Sequence, residues 1–348
     1  MRARRGSICF SDAREPPVTK FLIVFADGTS GRGSRGLNLY WFLTKFHGRH
    51  AVKLVRRRAL KGLTHTCDVL FLGVPTEVAK DDLAGIRYRQ MALFDYQDTP
   101  TVLVDERQEF LEGLTDLYLK VWVEPEWKSR WQFGVLPIRR QARLPLYLRY
   151  LKLTQALGAA APERTIDVSF LGAGTGERFP SQRVEWLYEI HRDAKDLAFW
   201  GGLVASTEYR QRVMYSVGNA PGVFYEGKRI SFNRFFDAMR RSKTVLTPKG
   251  NARWSYRHYE AIYAGAIPVS CDMRRTRVLI PLPLDGMVHV PDIAQVVPKV
   301  REALALPKRQ PGVREANVEF LERYLEHGDY SRKKPELMDR FLEQLRDS

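Results

Sequence analysis

The sequence predicts an α/β protein in which two Rossmann-like domains, each built on a parallel sheet, face a cleft. Apolar strand-like runs alternate with helical patterns along the chain, and this alternation is typical of parallel sheets. A glycine-rich turn follows a strand-like run in each half of the chain. The length of 348 residues suits two domains, because a domain has roughly 100–200 residues.

The first half opens with residues 20–26, KFLIVFA, a continuous apolar run that predicts a buried parallel strand. A glycine-rich loop and then a helical pattern over 37–46 follow this run. Further strands are predicted at 51–55, 68–72, 101–104 and 118–123. Residues 136–162 carry scattered prolines and many arginines, and they indicate the connection between the domains.

The second half repeats the alternation. Strands are predicted at 166–171, 197–200, 244–247, 267–270 and 288–290, and helices at 183–191, 231–241, 254–264 and 292–304. Residues 313–348 predict helices broken near Gly328 and Pro335. We therefore expect an N-terminal domain at 1–150, a C-terminal domain at 151–310, and helices at 311–348 that pack back across the domains.

The charge balance indicates an anionic partner. Lysine and arginine number 56 against 40 aspartates and glutamates, a formal charge of +16. Three scattered cysteines are too few for a disulfide framework or a zinc site. No apolar stretch suits a signal peptide or a membrane-spanning helix, so we expect a cytoplasmic protein, with peripheral contact to an anionic membrane as an option.

The first glycine-rich loop leaves a dinucleotide site open. Gly31, Gly33 and Gly36 fit G-x-G-x-x-G, and the basic residues 56–58 follow about 20 residues later, where the extra phosphate of NADP could bind. The loop begins four residues after the strand, however, and the acidic residue expected for NAD is absent. A flexible loop at the mouth of an α/β domain is the alternative interpretation.

The strongest functional pattern lies between Ser242 and Asp272. A strand leads through a short loop into a predicted helix, on which Arg253, Arg257 and Glu260 fall at spacings of four and three and so share one face. Arginines at a helix N-terminus are poorly placed unless an anion lies there too. Because ligands bind beyond the carboxyl ends of parallel strands, this placement predicts a diphosphate site, with Glu260 accepting hydrogen bonds from ribose hydroxyls.

The same segment resembles the C-terminal signature of exostosin-type glycosyltransferases, which reads roughly S-x-F-x-L-x-P-[RK]-G-[DN], [WS]-x-R-x-Y-E-A and G-x-I-P-V. The matching residues here are Ser242, Val245, Leu246, Pro248, Lys249, Gly250, Asn251, Ser255, Arg257, Tyr259, Glu260, Ala261, Gly265, Ile267, Pro268 and Val269. Upstream, the run 170–172 with Arg183 and Leu187 resembles the family's F-x-G…R-x-x-L. The resemblance covers about residues 166–292, and the N-terminal half shows none.

The resemblance implies a GT-B architecture with a nucleoside-diphosphate sugar, of UDP or GDP type, held mainly by the C-terminal domain. It implies further an inverting transfer to a saccharide or glycolipid acceptor without a metal or other cofactor, and the chain has no Asp-x-Asp sequence. Nucleic acid is not an expected partner. The implied donor-binding residues are Arg183, Lys249, Asn251, Arg253, Ser255, Arg257 and Glu260.

An inverting transfer needs a general base that removes the proton of the acceptor hydroxyl. Asp27, directly after the first predicted strand, is the first candidate; Asp105 and Glu106 are the second, and Glu77 is the third. Each could instead be a helix cap or turn residue.

Two other classes of function stay open at this point. Gly31, Gly33 and residues 56–58 support an NADP-dependent oxidoreductase, and the charge alone supports a protein that binds polyanions or membrane surfaces.

Overall fold

A computed structural model gives the fold of the chain. It describes residues 18–25, 35–74, 78–97, 101–104, 106–124, 126–127, 129–137, 153–158, 160, 162–174, 181–218, 222–227, 230–250, 252–325 and 336–346. By its internal contacts the chain divides into two compact units, of which the first comprises residues 1–94 and 103–116 and the second residues 95–102 and 117–348.

The first unit contains a parallel β-structure with one long helix. Its elements are β1 (Val18–Phe25), α1 (Arg35–His47), β2 (Val52–Arg56), β3 (His65–Gly73) and β4 (Ile86–Phe94). Strand β1 pairs in parallel with β2 on one side and with β3 on the other, and β3 pairs in parallel with β4. Residues 21–24 of β1 are fully buried, as expected for an apolar strand in the middle of a parallel sheet.

The second unit contains the remaining strands and most of the helices. In chain order the strands are β5 (Leu117–Lys120), β6 (Trp122–Val123), β7 (Gln132–Val135), β8 (Ile166–Ala173), β9 (Phe199–Val204), β10 (Ser242–Thr247), β11 (Ile267–Cys271), β12 (Arg277–Val278) and β13 (Val288–Val290). The helices are α2 (Gln182–Asp193), α3 (Thr207–Val217), α4 (Phe232–Arg240), α5 (Tyr256–Tyr263), α6 (Val296–Arg309), α7 (Val313–Leu325) and α8 (Glu336–Arg346).

The two large sheets confirm the predicted α/β class with two parallel sheets. In the first unit the strand order is β2-β1-β3-β4, and in the second unit a five-stranded sheet has the order β13-β11-β10-β8-β9, while β5 pairs in parallel with β7. All neighbours in the five-stranded sheet are parallel. The short strands β6 and β12 pair antiparallel in a separate two-stranded sheet.

Several elements differ from the sequence prediction, and the short strands β7 and β12 are two that were not predicted. Residues 101–104 form no strand, although their composition favours one. Strand β4 was not predicted either, because exposed arginines alternate with less exposed residues in its first half and disguise the run IRYRQMALF. Helix α3 was not predicted, because its surface is largely polar and only Val213 is buried.

Helix α5 is fixed to the sheet at its N-terminal end by His258. Nδ1 of His258 lies 3.2 Å from the backbone nitrogen of Ser255, the N-cap residue, and 3.0 Å from the carbonyl oxygen of the same residue, while Nε2 lies 2.8 Å from Oγ of Ser270 on β11. The fully buried imidazole therefore connects the start of α5 to β11.

The C-terminal end of α5 is held by Arg164. One guanidinium nitrogen donates to the carbonyls of Arg240 and Ser242 over 2.7 and 2.6 Å, and the other donates to the carbonyl of Ala264 over 3.2 Å. Arg240 ends α4 and Ala264 is the C-cap of α5. A single cation thus neutralises the partial negative charge of two helix C-termini.

The burial of His258 predicts a pH dependence of stability. Burial is the main cause that lowers the pKa of His258 from 6.5 to about 4; the backbone hydrogen bond to Ser255 opposes this shift, and the charge of Arg257 adds to it. The unfolded chain therefore takes up this proton first, so the stabilisation is complete above about pH 6.5 and is lost as the pH falls towards 4. The expected loss is about 3 kcal/mol of unfolding free energy.

Urea unfolding between pH 7 and pH 4 measures this loss. His258→Gln should flatten the slope of unfolding free energy against pH, whereas replacement of the exposed His50 by Gln should leave the slope unchanged. An equal slope in wild type and His258→Gln would contradict the assignment.

Candidate functional site

The strand order of the five-stranded sheet places a crevice between β8 and β10. The chain runs outward from β8 to β9 on one side and from β10 to β11 and β13 on the other. At such a reversal the loops beyond the carboxyl ends of the two central strands separate, and ligands of open α/β sheets bind there. Strand β8 ends at Ala173 and β10 at Thr247, so the loops that carry the predicted donor-binding residues begin at this point.

Arg257, in the first turn of α5, reaches across to β8. Its Nη2 donates to the carbonyl of Leu171, and its guanidinium lies over the rings of Phe170 and Phe235 at 4.7 and 5.6 Å from the ring centroids. Its Nε is buried and makes no hydrogen bond to any described residue. The half-buried guanidinium is thus held in one orientation with a donor still unsatisfied.

The electrostatics of Arg257 favour an anionic partner. Burial is the main cause that lowers the pKa of Arg257 to about 10, the negative charge of Glu260 opposes this shift, and the positive charge of Arg183 adds to it. Glu260 lies three residues after Arg257 on the same face of α5. A bound anion would offset the burial and the repulsion between the two guanidinium groups.

Arg183 approaches the same place from α2. Its Nη1 donates to the carbonyl of Ala173 over 2.8 Å, so both arginines bind the carboxyl end of β8. Glycines make room for them, since a Cβ on Gly250 would lie 2.3 Å from Nη2 of Arg183 and one on Gly172 would lie 3.1 Å from Nη1 of Arg257. The structure therefore brings Arg183 and Arg257 to the same strand end, within electrostatic range of Glu260.

The loop between β10 and α5 is fixed by a residue that the sequence analysis missed. Oε1 of Gln182 accepts from the backbone N–H of Lys249 over 2.6 Å. Gln182 directly precedes Arg183, and this position beside a predicted site residue was the one signal that could have found it. On α2, Gln182 thus positions the loop, and its neighbour Arg183 supplies a cation.

Lys249 and Arg253 lie near the end of β11. Burial raises the pKa of the Cys271 thiol to about 11, and the charges of Arg253 and Lys249 oppose this rise, which places both cations within electrostatic range of Cys271. The negative charge of Glu124 acts on the same thiol. Strand β11 neighbours β10, so this second pair of cations lies on the same edge of the sheet.

Arg253 does not lie on the helix, which corrects the predicted shared face. Helix α5 begins at Tyr256, and Arg253 precedes the N-cap Ser255. Trp254, between Arg253 and the N-cap, is buried and its Nε1 donates to the hydroxyl of Tyr259 over 3.2 Å. Instead of joining Arg257, Arg253 forms ion pairs with Glu124 and Glu126 at 3.4 and 3.5 Å.

Several candidate residues lie outside the described part of the chain. These are Asp27, Glu77, Asp105 and Asn251, together with the side chain of Glu106. Their proposed roles stay predictions. Strand β1 ends at Phe25, so Asp27 follows the carboxyl end of that strand by two residues.

The described residues contain neither a metal-binding group of side chains nor a membrane-spanning helix. They contain no group of three or more histidine, cysteine, aspartate and glutamate side chains placed to hold a metal ion. Within the same ranges, no helix has both the length and the apolar character that a membrane span requires.

Comparison with known proteins shows similarity of fold. No protein-family model matches the chain, and no curated protein matches its sequence. Among solved structures, the N-terminal domain of trehalose-6-phosphate phosphatase from Candida albicans is similar with a TM-score of 0.51 and 10% identity, over 97% of this chain and 98% of that chain.

Two further structures show weaker similarity. The pneumococcal O-GlcNAc transferase GtfA, in complex with UDP and GlcNAc, gives a TM-score of 0.46 and 10% identity over 82% of this chain, which spans only 59% of the GtfA chain. A UDP-forming α,α-trehalose-phosphate synthase from Burkholderia vietnamiensis gives 0.48 and 13% identity, over 90% of this chain and 85% of that one. At such identities the similarity concerns the arrangement of strands and helices alone.

Proposed function

We propose that the chain is a glycosyltransferase that moves a sugar from a UDP- or GDP-type nucleoside-diphosphate sugar to a saccharide or glycolipid acceptor. One observation supports this most directly. Arg183 and Arg257 converge on the carboxyl end of β8, at the reversal of strand order, with Glu260 beside them. The resemblance to exostosin-type transferases covers the same residues, and two parallel α/β sheets are what a GT-B enzyme requires.

In this proposal the arginines bind the donor diphosphate. Arg257 offers its unsatisfied Nε, and Arg183 offers the charge that now repels Arg257. The N–H groups of the first turn of α5, after Ser255, add positive potential. Glu260 accepts hydrogen bonds from the ribose hydroxyls, while Lys249, Asn251 and Arg253 complete the phosphate side from the preceding loop.

The proposed transfer inverts the anomeric centre and uses no metal. The acceptor oxygen forms a bond to the anomeric carbon as the bond from that carbon to the diphosphate oxygen breaks, and the acceptor proton passes to a general base, for which Asp27 stays the first candidate. Charge then develops on the departing diphosphate. The fixed guanidinium groups stabilise this charge without having to reorient.

Each domain has its own role in this proposal, and the transfer has a cellular location. Residues 1–150 would bind the acceptor, residues 151–310 the donor, and residues 311–348 would support both. The transfer would take place in the cytoplasm, with peripheral contact to an anionic membrane where the acceptor is a glycolipid. The positive charge of +16 supports an acidic acceptor or surface.

Nucleotide binding tests the donor site. Arg257→Gln should weaken binding of the matching nucleoside diphosphate by about 10- to 100-fold, because a hydrogen-bonded charge is lost, and Glu260→Ala should weaken it by about 10-fold. Thermal shift with a panel of nucleotides identifies the ligand, and calorimetric titration gives the affinities.

Arg323→Gln is the matched control, since it removes an exposed arginine from α7. No stabilisation by any nucleoside diphosphate would contradict the proposal. Salt-sensitive binding to any polyanion, unchanged in Arg257→Gln and Glu260→Ala, would favour a polyanion-binding protein instead.

Gly250→Ala tests the position of Arg183 separately. The added Cβ would meet the flexible end of Arg183 at 2.3 Å, so the guanidinium must move while the backbone can stay. We expect nucleotide affinity to fall about 3- to 10-fold, the effect of one weakened charged hydrogen bond, with little change in melting temperature. Gly113→Ala is the control, because a Cβ there meets nothing within 4 Å. Unchanged affinity in Gly250→Ala would exclude Arg183 from the phosphate site.

An NADP-dependent oxidoreductase is the second candidate, and the first unit favours it. Strands β1 and β2 are parallel neighbours joined through α1, and the carboxyl end of β2 leads into the short helix Arg57–Ala59. In dinucleotide-binding folds this is where a basic residue accepts the 2′-phosphate of NADP. Fluorescence enhancement of NADPH on titration, reduced in Arg57→Gln, would support this candidate. A flat titration would exclude it.

A further inference from the structure

Arg253 has two carboxylates as partners. It lies between them, whereas Arg257 donates to a backbone carbonyl. Its Nε is 3.4 Å from Oε1 of Glu124, and its Nη2 is 3.5 Å from Oε1 of Glu126. The two edges of one guanidinium therefore have different anionic partners.

The two carboxylates differ sharply in exposure. The side chain of Glu124 is 8% exposed and that of Glu126 is 49% exposed. Glu124 cannot leave Arg253 without stranding a buried charge, which is strongly unfavourable. Glu126 can turn into water at little cost, because an exposed ion pair at this distance is weak. One partner is thus permanent and the other exchangeable.

The side chain of Arg253 is partly accessible to solvent. It is 26% exposed, and Arg253 precedes the N-cap of α5 in the loop that also carries Lys249. A guanidinium has five N–H donors in one plane, so Nε can keep Glu124 while Nη2 exchanges its acceptor. A phosphate oxygen is a stronger acceptor for such an edge than a carboxylate held at 3.5 Å.

We propose that Glu126 is an internal competitor of the donor diphosphate for Arg253, and that Glu124 is the positioning residue that holds the guanidinium during the exchange. This inference rests on the proposed function. Without donor, Glu126 neutralises the arginine; with donor, it turns to solvent and a phosphate oxygen takes its place on Nη2. Glu126 therefore lowers donor affinity, and its removal increases it.

Titration of UDP and GDP into four proteins tests the competition. Glu126→Gln should bind the preferred nucleotide about two- to fivefold more tightly than wild type, the range set by an exposed ion pair. Arg253→Gln should bind the nucleotide more weakly than wild type. The double variant Arg253→Gln with Glu126→Gln should have the same affinity as Arg253→Gln alone. The last comparison separates competition for Arg253 from a general change in charge.

Glu319→Gln is the matched control, because it removes an exposed carboxylate of the same charge from α7. It should leave affinity unchanged. Should Arg253→Gln fail to fold because Glu124 is left as an unpaired buried charge, the pair Glu124→Gln with Arg253→Gln removes both charges together and provides the alternative background.

The outcomes separate the two hypotheses. If wild type binds a nucleoside diphosphate but Glu126→Gln weakens binding, or strengthens it equally with and without Arg253, the competition is wrong and the proposed function stands. If wild type binds neither nucleotide, the proposed function is contradicted and this inference falls with it.

Discussion

The reversal of strand order between β8 and β10 is the constraint on which the candidate site depends. Parallel strands are joined by right-handed crossovers, so the direction in which the chain leaves β8 decides which face each helix covers. Helix α2 follows β8, and helix α5 follows β10 on the other side of the reversal. Both helices therefore start at the carboxyl edge of the sheet. Arginines from the two helices then reach the same strand end without any contact between the helices being required.

The cations at this edge differ in the partners that the structure gives them. Arg183 and Arg257 each donate to a backbone carbonyl at the end of β8, and their positive charges repel each other. Arg253 is already paired with carboxylates from the segment after β6. A count of positive residues therefore overstates the potential at the site, and only part of the excess of +16 is directed at the proposed phosphate.

The sequence predicted those features that depend on local patterns. Strand β1 could be found because its buried residues are consecutive, and the segment from β10 to β11 could be found because its polar residues have fixed spacings. Strand β4 was missed, since its exposed arginines resemble a loop, while residues 101–104 have the composition of a strand and form none.

The partners of the site residues could not be predicted in the same way. Glu124 lies 129 residues before Arg253, and no spacing along the chain indicates that the two meet. The contact of Gln182 with Lys249 could not be predicted for the same reason, because it depends on which loops the fold brings together at the edge of the sheet. Local patterns thus identify the candidate ligand-binding segments, and the tertiary structure determines which groups their charged side chains contact.

Helix α5 is anchored at both ends, by His258 to β11 and by Arg164 at its last carbonyl. Its eight residues are therefore unlike a mobile lid, and we expect Arg257 and Glu260 to keep their separation when a ligand binds. Ordering of this segment has been completed during folding, so a ligand need not supply that conformational entropy. Such a preorganised helix favours molecules whose anionic and hydroxyl groups match the spacing of Arg257 and Glu260. It discriminates against molecules that would need the helix to bend.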